Sequence, residues 1–359
     1  MANPHIVLVH GMGTHDEATF KKTVTEPLNK ASNYFKSIGK FEDNVTLHYI
    51  DYNSVFEEVR EKIAETEISD LQTKFPNAPS LITSLNKFHG KFDNDSFFYT
   101  HWLDVLIYRS FYKDAIQACV AKQLLEATRK AIDDAADIHI LCHSLGTAVV
   151  HDTLHKLYIN DIDSSVGENL LSSGLNRIKS ITMVANVSQL LEVGANPYVS
   201  AVKPGVGGIC DFFINCHHVL DPIPSIEKFD PGAHWLGTNT SEFKNISIKG
   251  VERANVHDLD HYLANPRIFI PLLYCLFQGK IFTKQSEVEK AYSEHDQTTM
   301  QGRFDKLREE LGNANITLQW NPDTMEFDYT GSLKDIEKQL IDFIDHLKSI
   351  ENSVSAINS

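Results

Sequence analysis

Apolar positions along the chain gather into short continuous runs rather than alternating with polar ones. Six runs read as strands: His5 to Val9, Val45 to Ile50, Ile138 to Cys142, Ile178 to Ala185, Cys210 to Cys216 and Phe243 to Ile248. Between the early ones the spacing lengthens to a helical period, from Ala18 to Ser37 and from Trp102 to Ile132. A strand that is apolar on both faces belongs inside a parallel sheet covered on both sides. Right-handed crossovers then predict an α/β fold with a doubly wound, mostly parallel sheet.

Two regions break the alternation. From Val55 to Tyr99 the chain is polar, with Pro76 and Pro79, and it then turns aromatic at "SFFYTHWLDVLIYRSFY". This reads as a helical insertion over about residues 53–101. Its aromatics either pack on the sheet or, in the sharper reading, form a cap in which Phe97, Phe98 and Trp102 face a substrate. The stretch 286–359 reads as an accessory segment of helix, hairpin and helix. The hairpin is "ITLQWNPDTMEFDY", and the last helix carries Leu333, Ile336, Leu340, Phe343, Ile344 and Leu347 on one stripe. The main domain is then expected over 1–285.

Composition narrows the functional classes. The chain has 359 residues, 42% of them apolar, which allows one large α/β domain with additions. Acidic residues outnumber basic ones 48 to 33, for a formal net charge of -15. Such a surface repels phosphate backbones and anionic headgroups, so nucleic acid is not an expected partner. No apolar run reaches the length of a transmembrane helix, and the opening MANPHIVLVHG shows no secretion signal. Five cysteines without CxxC spacing suit reduced thiols, and the expected location is cytoplasmic.

An α/β sheet binds ligands at the carboxyl ends of its strands. Those ends carry "HGMGTH", "CHSLG", "HHVLDPIP" and "NVHDLDHYL" after the first, third, fifth and sixth strands. They supply a serine, an aspartate and histidines in that chain order. A serine attacks a carbonyl only when its hydroxyl is exposed and a base is within reach, and a tight strand-turn-helix gives that exposure. Small residues two before and two after the serine let strand and helix approach. Gly146 meets the second requirement; at the first stands Cys142, small but not the glycine of G-x-S-x-G.

On these four motifs the chain, from about Pro4 to Gly279, resembles the α/β-hydrolase superfamily, particularly lipase-like serine esterases in which GHSLG is the familiar form. The resemblance implies hydrolysis of an ester through a Ser-His-Asp triad and an acyl-enzyme, with no metal or organic cofactor. Ser144 would be the nucleophile and Asp221 the acid. His10 and Gly11 match the family's oxyanion loop, so the backbone amides of Met12 and Leu145 would hold the oxyanion. His257 and His261 compete for the role of base. Asp258 reads as a helix N-cap, which leaves His257 on the loop and puts His261 inside the helix, so His257 is favoured. The implied substrate is a small-molecule or lipid ester, and phospholipase or transacylase activity uses the same machinery.

Other readings compete. "HGMGTH" as a dinucleotide-binding loop would need its third glycine where Asp16 stands, and "PGVGGI" precedes a strand rather than following one. Asp221 as a simple turn residue is an alternative, while Asp51 precedes the serine in the chain and is the weaker acid. His257 and His261, four apart, with His217, His218 and Asp221, suggest a metallohydrolase, although the glutamate of H-E-x-x-H is replaced by Asp258. A hydrolase-like fold kept only for interaction is the remaining alternative.

Overall fold

The computed structural model describes residues 2–11, 16–56, 104–105, 107–109, 112–162, 171, 177–191, 196–235, 242–251, 255–278, 284–299, 302, 317–321 and 326–330. Six strands form one parallel sheet: β1 His5–Val9, β2 Thr46–Ile50, β3 Ile138–His143, β4 Ile178–Val184, β5 Cys210–His218 and β6 Phe243–Ile248. Their order is β2-β1-β3-β4-β5-β6. His5 pairs with Thr46 on one side and with Ile138 on the other. The chain therefore leaves β1 in one direction and returns on its other flank at β3. That reversal opens a crevice at the carboxyl ends of β1 and β3, where a doubly wound sheet takes its ligand.

Seven described helices accompany the sheet: α1 Glu17–Ser32, α2 Lys113–Asp133, α3 Leu145–Tyr158, α4 Pro222–Ile226, α5 Leu259–Ala264, α6 Pro266–Leu276 and α7 Gln285–Thr298. The period-2 geometry of a strand divides the apolar runs between two cores. Val7 and Val9 of β1 join Ile140, Ile181 and Phe213 in the core under α2 and α3. Ile6 and Leu8 join Leu141, Val184 and Ile214 in the core under α1, α5 and α6. Each large aliphatic side chain buried there stabilises the fold by about 1.5–3 kcal/mol. This explains why the strands read as unbroken apolar runs.

Element ends differ from the sequence expectation in physical ways. The helical pattern from Ala18 to Ser37 is helix only to Ser32; Phe35 and Ile38 stay buried from the turns beyond it, whose three-residue spacing imitates a helix. Strand β5 runs on to His218, because His217 and His218 are themselves buried. In the long stretch from Trp102 to Ile132, residues 104–105 and 107–108 are helical as well, and α2 follows from Lys113. Apart from residues 53–56, the expected insertion lies outside the described residues, as does the stripe from Leu333 to Leu347. Within the C-terminal segment, α7 buries Ala291 in the second core, and strands β7 Thr317–Asn321 and β8 Glu326–Thr330 pair antiparallel. Among the described residues no helix is long and apolar enough to cross a membrane.

The sheet also holds histidines that the fold keeps neutral. His48 Nε2 lies 2.9 Å from His5 Nδ1, and His5 Nε2 lies 3.1 Å from Asp134 Oδ2. Burial, with the neighbouring His5 and Lys130, lowers His48 from 6.5 to about 4. Burial also lowers His139, whose Nδ1 is 2.7 Å from Ser180 Oγ, to about 3. The unfolded chain takes up these protons near pH 6.5 and the folded chain resists them, so stability present above pH 6.5 is lost as pH falls through that window. His139 dominates, because His48 is half-exposed and water screens part of its share. Urea unfolding is expected to give about 3 kcal/mol less stability at pH 4 than at pH 7. Equal stabilities at the two pH values would overturn this account.

Candidate active site

Ser144 follows the last residue of β3 and precedes the first of α3, with φ 51° and ψ −126°. A residue with a Cβ avoids that region, and holding one there costs about 1–3 kcal/mol. The surroundings enforce it. Ser144 N donates to Val184 O at 2.9 Å, and Thr147 donates to Ser144 O from its amide at 2.9 Å and from its hydroxyl at 2.7 Å. Two glycines allow the crowding. A Cβ on Gly146 would lie 2.2 Å from His10 O, and one on Gly11 would lie 2.8 Å from Ser144 Cβ. Cys142 is tolerated where glycine was expected because its side chain points into the core beneath α2 and α3, with Sγ 3.5 Å from Thr182 O. Burial pushes that thiol far up, so it packs rather than reacts.

Asp221 sits three residues beyond β5 and caps the N-terminus of α4. Its Oδ1 accepts from Ile223 N at 3.1 Å. Its Oδ2 accepts from His257 Nδ1 at 2.7 Å and from Tyr262 Oη at 2.8 Å. The carboxylate is wholly buried. Burial alone would raise its pKa, but the His257 ring and the hydrogen bonds from His257, Tyr262 and the Ile223 amide outweigh it and leave the group below its ordinary value. It stays ionised facing the imidazole.

His257 lies on the turn before α5, and its Nε2 is 2.9 Å from Ser144 Oγ. Since Nδ1 donates to a carboxylate, Nε2 is the bare nitrogen and accepts the serine proton. The structure thus brings Ser144, His257 and Asp221 into one hydrogen-bonded run. Asp258 occupies the N-cap position of α5, yet its side chain makes no capping bond and instead accepts from Asn255 Nδ2 at 2.7 Å. His261 is not brought to Ser144: it is buried on α5, with its ring 5.3 Å from that of His218. The two ring nitrogens of His257 are directed at Ser144 and Asp221, not at a point shared with His261. Among the described residues no group of three His, Cys, Asp or Glu side chains converges as metal ligands would.

The first-strand exit is pinned by aromatics. His10 stacks on Tyr52 at 4.2 Å, and Tyr52 Oη donates to His10 O at 2.5 Å and Gly11 O at 3.2 Å. Met12 lies outside the described residues. Leu145 opens α3, and a first-turn helix amide has no intrahelical acceptor, so it can serve an incoming anion. Next to Ser144, Val105, Leu145, Val187, Leu190, Leu191 and Ile223 line an aliphatic pocket. Asp51 stands at the end of β2, with its side chain accepting from Asn53 N at 2.9 Å.

Two residues to which sequence reasoning gave no role of their own take part in the site. Tyr262, besides donating to Asp221, accepts from His218 N at 2.9 Å and so anchors the carboxylate to the end of β5. His143 Nε2 donates to the carbonyl of His257 at 2.8 Å. A second Ser-His-Asp set is also present: Ser200 Oγ is 2.8 Å from His151 Nε2, and His151 Nδ1 is 3.0 Å from Asp152 Oδ1. Ser200 and His151 are each 2% exposed, and Ser200 Oγ also accepts from Val202 N. Ser144 is itself only 1% exposed. What separates the two sets is the histidine: the His257 side chain is 18% exposed, whereas His151 is sealed and Ser200 Oγ is already engaged by Val202 N, so the second set is structural.

No family model and no curated protein matches the chain. The solved structure titled "Phospholipase PlaB from Legionella pneumophila" is similar at a TM-score of 0.30 and 11% identity, over 92% of this chain and 69% of that one. A likeness that weak bears no weight on what this chain does.

Proposed function

We propose that the chain is a serine hydrolase of the lipase-like α/β-hydrolase kind, cleaving a carboxylic ester through an acyl-enzyme. The observation that carries this is the run from Ser144 Oγ to His257 Nε2 at 2.9 Å and from His257 Nδ1 to Asp221 Oδ2 at 2.7 Å, presented on a strained turn. In this reading His257 takes the Ser144 proton as Oγ attacks the acyl carbon. Asp221 holds the tautomer and stabilises the imidazolium. The amides of Met12 and Leu145 receive the oxyanion, and His257 returns the proton to the leaving alcohol. Water activated by the same ring then releases the acid.

The side chains beside Ser144 are aliphatic, but the space they enclose is only about that of one water molecule and would have to widen to take an acyl chain. Phospholipase or transacylase activity, which uses the same triad, is the second reading. No metal or organic cofactor enters any step. The hydrolase unit is proposed to span 1–285, with 286–359 as an accessory segment, and to act in the cytoplasm.

The test is the intact-protein mass after exposure to a fluorophosphonate in excess chelator. One stoichiometric adduct, lost in Ser144→Ala and kept in Ser200→Ala, is the expected result. A folded wild-type protein that takes up no adduct would count against the reading.

A further inference from the structure

We propose that His143 is a positioning residue that holds the His257 imidazole against Ser144; the inference rests on the serine-hydrolase reading. His143 is the last residue of β3, neighbour to the nucleophile in the chain, and only 9% exposed. Its Nε2 lies 2.8 Å from the carbonyl oxygen of His257. A carbonyl only accepts, so Nε2 carries the hydrogen. Its ring also packs on the His257 ring, with centroids 4.9 Å apart and planes tilted by 46°. One side chain therefore touches the base twice, on the backbone and on the imidazole.

The need for such a tie follows from where His257 stands. Its own amide donates to Asn255 Oδ1 at 3.1 Å, a local bond that fixes the turn's shape but not its place over the sheet. Asp221 holds Nδ1 from β5's side of the site. The bond from His143 references the backbone of His257 to β3, the strand that delivers the nucleophile, across 114 residues of chain. Any movement of that strand end then carries Ser144 and His257 together. Gly11 leaves the space for this: a Cβ there would lie 3.2 Å from His143 Nδ1. A displacement of about 1 Å between reacting groups costs on the order of 10²-fold in rate, so an anchor on the base acts on kcat rather than on substrate binding.

Two variants separate this from a buried histidine that only fills space. His143→Phe keeps a ring against His257 but loses the donor, whereas His143→Gln places an amide N–H near the position of Nε2. Full-length variants are assayed on a soluble ester, with active sites counted by fluorophosphonate titration and folding checked by Tm. We expect His143→Phe to lower kcat per titrated site by about 10- to 100-fold with KM within about twofold, and His143→Gln to recover to within about fivefold of wild type. The downfield proton resonance of the His257 Nδ1–H should shift in the Phe variant and return in the Gln variant. Unchanged kcat in His143→Phe would overturn the proposal. So would equal losses in both variants that vanish once rates are divided by titrated sites, since that is what a purely structural role gives. A wild-type protein with neither adduct nor turnover would instead bring down the hydrolase reading itself.

Discussion

Ser144→Ala is expected to lower kcat toward an ester by about 10⁶-fold while leaving the fold intact. The size follows from the loss of the covalent route: without Oγ no acyl-enzyme forms, and only binding and oxyanion contacts remain. The fold survives because what enforces the turn does not involve the hydroxyl. Ser144 N still reaches Val184 O, and Thr147 still donates to Ser144 O. Alanine inherits the same strained backbone, so Tm should stay within a few degrees of wild type. Steady-state turnover of a chromogenic ester, with Tm measured on the same samples, checks both halves. A variant retaining more than about one hundredth of the wild-type rate would show that another group delivers the nucleophile.

Asp221→Asn is expected to cost about 10⁴-fold in kcat. Asparagine is nearly isosteric, and with its oxygen at the Oδ1 position Ile223 N keeps its acceptor, while Tyr262 Oη, which met Oδ2, now faces the amide nitrogen and must accept from it instead. What changes is the proton on His257. An amide nitrogen facing Nδ1 donates, which drives the ring hydrogen to Nε2, the atom 2.9 Å from Ser144 Oγ. The ring then has no lone pair for the serine proton. The charge that would stabilise the imidazolium is lost as well. Because Asp221 is wholly buried, water cannot substitute for it. Proton NMR of the imidazole, alongside kcat, tests the cause: a slow variant with the wild-type tautomer would mean that charge and not tautomer sets the rate.

The sheet could be read from the chain because a parallel strand covered on both faces has no polar side to interrupt its apolar run. Runs such as Ile138 to Cys142 are therefore visible without an alignment. Ser144 was equally legible, since the elbow needs its glycine at 146 and its apolar strand before it; the departure at Cys142 mattered little once its side chain turned into the core. The choice of His257 over His261 depended on where one short helix begins, and α5 begins at Leu259. Tyr262 and His143 were not legible as site residues. Their partners lie 41 and 114 residues away in the chain, and nothing local marks a buried tyrosine or histidine by the atom it will meet. The false end of α1 has the same origin, for Phe35 and Ile38 keep a helical rhythm while lying in turns.

Among the described residues strand β6 lies at the margin of the sheet and pairs with β5 alone, and it leaves Lys244 and Asn245 to solvent. The base of the site hangs from the chain just after it, whereas Ser144 comes from β3, with a neighbour on each side. Sheets open from their borders, where amide exchange with solvent is fastest and the free energy of opening is smallest. On the proposed mechanism, catalytic competence is then bounded by the stability of that border, except for what the bond from His143 on β3 to the His257 carbonyl retains. Warming should silence turnover while most of the central sheet is still protected from exchange, which makes activity a sensor of the least cooperative part of the fold.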